Sequence, residues 1–196
     1  IGEGFQTLGD ATQPLSTAMM GLGTIAGKTA MDFEDAMAKV QATSGVSAEE
    51  LEVLEQKARQ IGKTTQLSAT DGAEALLLLA QAGYDTNDSL TMVDAVVNLA
   101  IANEMDLAKA TGIVTASMNA YNWELDRTQE LTDILSAVSR ASSTDVGEIG
   151  EAFRTVAPTA NALGFEVADV SMVLGLMANN AIHGAEAGNG LKSILS

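Results

Sequence analysis

Residues 67–83 read LSATDGAEALLLLAQAG, and the fold class turns on them. Ser68 stands where a helix N-cap would, with an oxygen to accept the first free N–H groups, and Gly83 stands where a helix would stop. Between them runs the longest apolar segment of the chain, Ala73 to Gly83. That is well short of the ~20 residues that span a bilayer, so the segment reads as a core helix, and such a helix needs other helices to cover it.

The flanking sequence supplies them. Downstream, NDSLTMVDAVVNLAIAN places Leu90, Val93, Val97 and Ile101 together, and DLAKATGIVTASMNAYN does the same with Leu107, Ala110, Val114 and Met118. Upstream, GVSAEELEVLEQKARQIG opens with a capping box, Ser47 and Glu50. It lines Leu51, Leu54, Ala58 and Ile61 along one face and is expected to close at Gly62. MDFEDAMAKVQAT carries a stripe of Phe33, Met37 and Val40. Towards the end, DRTQELTDILSAVSRASS has Asp126 and Gln129 in capping-box spacing, and Pro158 is expected to kink or break its helix. An opening helix is expected around 13–26, and two last ones at Val167 to Asn180 and Ala185 to Leu195. No segment alternates with period two long enough to be a strand. The reading is all-α: a compact bundle of about nine short helices joined by tight turns.

A faint internal echo is what either two related helical-hairpin halves or chance similarity between two Ala-rich hairpins would produce. Asp71, Glu74 and Ala75 answer to Glu148, Glu151 and Ala152 at an offset of 77. Gly83, Tyr84, Asp88 and Asn98 answer to Gly164, Phe165, Asp169 and Asn179 at 81. The offsets differ by about one helical turn.

Composition narrows the function. The chain has 196 residues, 46% hydrophobic, with two prolines and a wealth of Ala, Leu and Met, which favours helix. Its eighteen glycines suggest many helix ends. Twenty-six acids against ten bases give a net charge of −16, which argues against a nucleic-acid backbone or an anionic membrane as partner. With no cysteine, disulfides and thiolate metal sites are excluded.

The motifs that resemble chemistry do not survive inspection. GLGTIAGKT, Gly21 to Thr29, ends like a phosphate-binding loop, but the required first glycine falls on Leu22. No hydrophobic strand precedes it, as a dinucleotide fold would need. A catalytic pair would require His183, the single histidine, which sits in a turn where solvation or capping is its usual role. Carboxylate pairs such as Asp32 with Asp35 and Glu49 with Glu52 fall at helix starts, where they complement the helix dipole. The nine methionines suit an adaptable helix-binding surface, although most are expected in the core. No catalytic residue, cofactor site or metal site is assigned.

Four strings in order carry a family resemblance: FEDAMAKVQATSG from Phe33, LSATDGAEALLLLAQAGYD from Leu67, VAPTANALGF from Val156 and LGLMANNAIHGAEAGNGLK from Leu174. Together they resemble the core region of phage tail tape-measure proteins. Phe33, Glu34, Met37, Lys39 and Val40 match the opening motif; Pro158, Gly164, Gly184 and Gly188 fall in the closing ones. Ala181 departs from the pattern, standing where glycine is usual, and so does the pair Asn189-Gly190.

The resemblance divides the chain into a lead-in, residues 1–30, expected to be helical, and a core domain, residues 31–196. It implies a virion component of the phage or prophage tail, made in the host cytoplasm, that acts in tail assembly, tail length and genome ejection without catalysis. Implied partners are copies of itself, with a trimer favoured, together with tail-tube, tail-tip hub or baseplate proteins and a tail assembly chaperone. The start, IGEGFQ, and the end, GLKSILS, lead us to expect a longer parent chain. The competing readings are a cell-wall-degrading module of a tail protein and a helical binding or chaperone-like module unrelated to phage.

Overall fold

The computed structural model describes residues 29–196, and among them every regular element is helical. Nine α-helices follow one another: α1 (residues 29–44), α2 (Ala48–Thr64), α3 (Ala69–Gln81), α4 (Thr86–Ala102), α5 (Leu107–Tyr121), α6 (Thr128–Ala141), α7 (Val146–Ala162), α8 (Val167–Ala178) and α9 (Gly184–Leu195). A single 3₁₀ turn, Leu125–Arg127, precedes α6. Residues 29 and 30 continue into α1, while the rest of the expected lead-in, with its helix at 13–26, lies outside the described residues. So does the phosphate-loop-like stretch, apart from Thr29. No described helix is long and apolar enough to cross a membrane.

Caps start the helices where the sequence places them. Ser47 forms its box with Glu50, and Ser68 forms one with Asp71. Asp85, Asp106 and Asp145 each accept backbone N–H groups of the following turn. The Asp126–Gln129 box does not form. Asp126 lies inside the 3₁₀ turn, and Gln129 instead donates to Asp133 at 2.8 Å. Arg127 occupies that helix start, gripping Glu130 through two 2.8 Å bonds and lying 3.5 Å above the Trp123 ring.

Five of the helix ends share one closure. After α3, α4, α5, α7 and α8 comes a left-handed residue, in turn Gly83, Glu104, Asn122, Gly164 and Ala181. The next residue then donates its N–H to the carbonyl five back: Tyr84 to Leu79, Met105 to Ala100, Trp123 to Met118, Phe165 to Ala160, and Ile182 to Met177. This is the Schellman arrangement, and each donor is apolar, as its packing back onto the helix requires. Glycine occupies only two of the five positions. At Ala181, φ is 62°, a conformation that costs a residue with a Cβ about 1 kcal/mol and explains why glycine is the easier choice there.

The internal echo becomes clearer in the cap pattern and extends to a third helix. The N-caps of α3 and α7, Ser68 and Asp145, lie 77 residues apart. The glycine closures lie 81 apart, and the closures at Glu104 and Ala181 lie 77 apart again. The reason is length. α7 has seventeen residues to the thirteen of α3, whereas α8 has twelve to the seventeen of α4 and is followed by a turn one residue longer. Ala110 and Val114 on α5 correspond at 77 to Ala187 and Leu191 on α9, and all four are buried.

Helix α4 occupies the centre of the first half. From Met92 to Ala100 only Asp94 and Asn98 reach solvent, and α2, α3, α5 and α6 surround the rest. Asp94 is paired with Lys57 of α2. In the second half α7 is the hub, packed against α5, α6, α8 and α9.

At α2 one expectation fails, and at α7 the break, one of the two outcomes expected of Pro158, does not occur. Gly62 does not end α2, which runs on to Thr64; a Cβ at Gly62 would stand 2.6 Å from the Ala69 nitrogen, so its role is to let α3 begin close by. Pro158 does not break α7, which is helical through Ala162. The ring faces solvent, while Val156, Ala157 and Ala160 are fully buried. Burial on that inner face outweighs one missing hydrogen bond, and Arg154, whose carbonyl loses its partner, stands on the exposed side. Replacing Pro158 by alanine restores the bond. The expected outcome is a gain of about 2 kcal/mol in stability, from a ~3 kcal/mol helix penalty offset by the looser unfolded chain, read from the denaturant midpoint.

Candidate functional site

The residues carrying the opening motif form a packing joint. Phe33, Met37 and Val40 are buried, and the Arg59 guanidinium of α2 lies 4.2 Å above the Phe33 ring. Glu34 and Lys39 are exposed. Lys39 borders a hollow of about 360 Å³ between α1 and α3, together with Asp32, Asp35, Thr70, Glu74 and Leu77.

The closing motif makes a second joint, on α7. A Cβ at Gly188 would stand 2.5 Å from the Ala152 carbonyl oxygen and 2.8 Å from its Cα, so the α9 backbone lies directly on α7. Gly184 opens α9 beside the Glu151 carboxylate. Pro158 and Gly164 lie further along the same α7 and at its end. The two motifs thus serve different helix junctions, with partners on α2 and α3 for one and on α7 for the other.

His183 is not isolated. Its Nδ1 lies 3.1 Å from Glu148 Oε2, which also accepts a 2.8 Å bond from the Thr144 hydroxyl. The three residues pin the start of α9 to the start of α7, between Ile149, Leu174 and Ile182. No group of three or more His, Asp or Glu suited to a metal ion occurs among the described residues. The Arg127 hydrogen bonds hold the Glu130 carboxyl below its ordinary range. An aromatic cluster joins α5 to α7: the Tyr121 ring stacks on Phe153 at 5.5 Å and meets Trp123 edge-on at 6.2 Å. Burial pushes the Tyr121 hydroxyl up to about 12, and the nearby carboxylates Glu166 and Asp169 add to the effect.

What remains open to a partner is an apolar face that the motif reading did not single out. On α8, Met172 and Leu176 are 59% and 58% exposed, Val173 is also exposed, and Phe165 precedes them on the same side. Ile194 on α9 is 78% exposed. Between the two helices runs a groove of about 180 Å³ lined by Phe165, Asp169, Val170, Val173, Leu191 and Leu195. The signal was present in VADVSMVLGLMA, which has one charge and no polar side, and which reads as a buried helix. Among the methionines, Met37, Met92 and Met118 are core and Met105 and Met177 pack against it, but Met31 and Met172 stand in solvent. Met19 and Met20 lie outside the described residues.

Beside these helical joints, the pinned histidine and the apolar outer face stand similarities to known phage proteins. The chain is 28% identical over 197 residues to the tape measure protein of Pneumococcus phage Dp-1, covering 100% of this chain and 17% of that protein. The match therefore includes residues 1–30, where no resemblance had been recognised. It is 27% identical over 180 residues to the probable tape measure protein of Escherichia phage P2, covering 89% of this chain and 22% of the relative. A third relative, the probable tape measure protein of Clostridium phage phiCD119, is 26% identical over 156 residues, 77% of this chain and 16% of its own length. The chain thus spans about a fifth or less of the length of these curated relatives. No solved structure matches. The model of phage-related minor tail proteins matches residues 55–196, most of the helical domain, and the chain belongs to that family.

Proposed function

We propose that this chain is a structural module of a phage or prophage tail tape-measure protein. It contributes to tail assembly, to setting tail length and to genome ejection through protein contacts in the tail lumen or tip, and catalyses no reaction. The observation that carries the reading is the alignment of the whole chain with one part of the tape measure protein of Pneumococcus phage Dp-1. The helical joints support it, since Phe33, Met37, Val40 and Gly188 all stand at helix contacts. Its partners are copies of itself, tail-tube and tail-tip hub or baseplate proteins, and a tail assembly chaperone. The protein is assembled in the host cytoplasm and resides in the tail of the virion.

Mass spectrometry of purified virions tests this. Peptides of the chain should come from a tail polypeptide several times longer than 196 residues. In-frame deletions in its helical remainder should shorten the tail by ~1.5 Å per residue removed, the rise of an α-helix. A stand-alone product missing from virions, or tails of unchanged length, would reject the proposal.

A further inference from the structure

The echo at 77 residues has a period of four helices. Phe33 and Met37 on α1 answer to Ala110 and Val114 on α5 and again to Ala187 and Leu191 on α9, all six buried. Leu54 and Ala58 on α2 answer to Leu131 and Leu135 on α6, which are buried too. The hollows repeat as well. The one between α1 and α3 meets α3 at Thr70, Glu74 and Leu77, and one of about 200 Å³ between α5 and α7 meets α7 at their counterparts, Gly147, Glu151 and Arg154. One unit is thus α1 to α4, the next is α5 to α8, and α9 stands in the place of a first helix.

The packing partners follow the same period. α4 is packed by α2, α3 and α5, and also by the 3₁₀ turn and α6 that follow α5. α8 makes the matching contacts with α6, α7 and α9, and no described element takes the place of the last two. α5 packs on α3 and α4 and also on α6 and α7, while the main contacts of α9 are with α7 and α8, the counterparts of the first pair. A bare side results. Val173 and Leu176, 39% and 58% exposed, answer at 81 to Met92 and Ala95 and at 77 to Val96 and Leu99, all four buried. Ile194, 78% exposed, answers at 77 to Ser117, which is 1% exposed. Met172 does not belong to this side, since Thr91, its counterpart at 81, is itself in solvent.

Stacked repeats bury one another's apolar faces, and the last unit needs a successor or a cap. This chain spans about a fifth or less of its curated relatives, which leaves ample length for a successor. We infer that the polypeptide following Ser196 in the parent protein is that successor. It forms a turn and a helix that lie on α8 as the 3₁₀ turn and α6 lie on α4, over Val173, Leu176 and Ile194. One period beyond the buried Leu131 and Leu135, near positions 208 and 212, that helix should carry apolar residues. This cover rests on the chain's own repeat and on no role in the tail.

The test compares the 196-residue chain with one continued to about position 220 of the parent, just past one period beyond Ala141. Both carry Leu176→Cys, a unique thiol within the 196 residues, and its reaction with a maleimide is timed at micromolar concentration; the longer chain without the substitution is the blank. The longer chain should react at least about tenfold more slowly, because the thiol is reached only when the helix opens. Val53→Cys, at an exposed position on α2, should react alike in both. Leu176→Glu should lower the folding equilibrium constant of the longer chain at least about tenfold, by burying an unpaired charge, and that of the shorter chain less than about threefold. Equal rates at position 176, or a parent protein that ends at Ser196, overturn the cover. So does slow reaction in the 196-residue chain itself, which dilution would assign to a second copy and removal of residues 1–28 to the lead-in. Protection by the added segment in a protein missing from virions keeps the cover and rejects the proposed function; equal rates in a protein found in virions do the reverse.

Discussion

Replacing Phe153 by alanine is expected to lower the stability of the folded chain by about 3–5 kcal/mol, the range for removing a large aromatic side chain from a core. Phe153 is 0% exposed and stands at the head of the fully buried side chains ranked by volume. It sits on α7, the hub of the second half, and its ring stacks on Tyr121 of α5. The loss has two parts: the transfer of the ring out of water, and a cavity that the surrounding helices fill only in part. Repair is hindered because α5 and α7 are also interlocked through Gly150, where a Cβ would stand 2.5 Å from Ile113. The helices therefore cannot slide together to close the gap. For a domain of this size the shift in melting temperature should be roughly 10 °C. A loss below about 1 kcal/mol would mean that the core is looser than this packing implies.

The second large effect comes from adding atoms. Gly188→Val should destabilise the chain by about 3 kcal/mol, at the upper end of overpacking costs. The atoms in the way are the Ala152 carbonyl oxygen, Cα and carbonyl carbon, at 2.5, 2.8 and 3.0 Å from the new Cβ. Backbone does not rotate aside as a side chain can, so α9 must lift from α7 along their junction. Gly190, two residues on, supplies the control: its Cβ would meet only the end of the Met177 side chain, at 3.5 Å. Gly190→Ala should be neutral or stabilising, since alanine is the better helix former by up to ~1 kcal/mol. Comparing the two denaturation midpoints separates steric conflict from helix propensity. Equal responses would remove Gly188 as the contact point between the helices.

These two sites mark where local reading ends. The sequence alone determined the helices, because caps, turn residues and apolar periodicity act over three to five residues. Ser47, Ser68 and Gly83 do in the structure what their neighbours imply, and the stripe Phe33, Met37, Val40 is buried as spaced. The motif positions Pro158, Gly164, Gly184 and Gly188 were legible as special, but not as members of one junction on α7. Nothing local distinguishes Gly62, which lies inside a helix against the start of α3, from Gly83, which ends one. Nor could the sequence foresee that Pro158 continues its helix, since the buried face of α7 that holds it there is made by other helices. Of α4 and α8, the tertiary structure enclosed the first and left the second, the more apolar of the two, with a bare side. Burial depends on which helices arrive at a face, and that is decided by the packing of segments far apart in the chain.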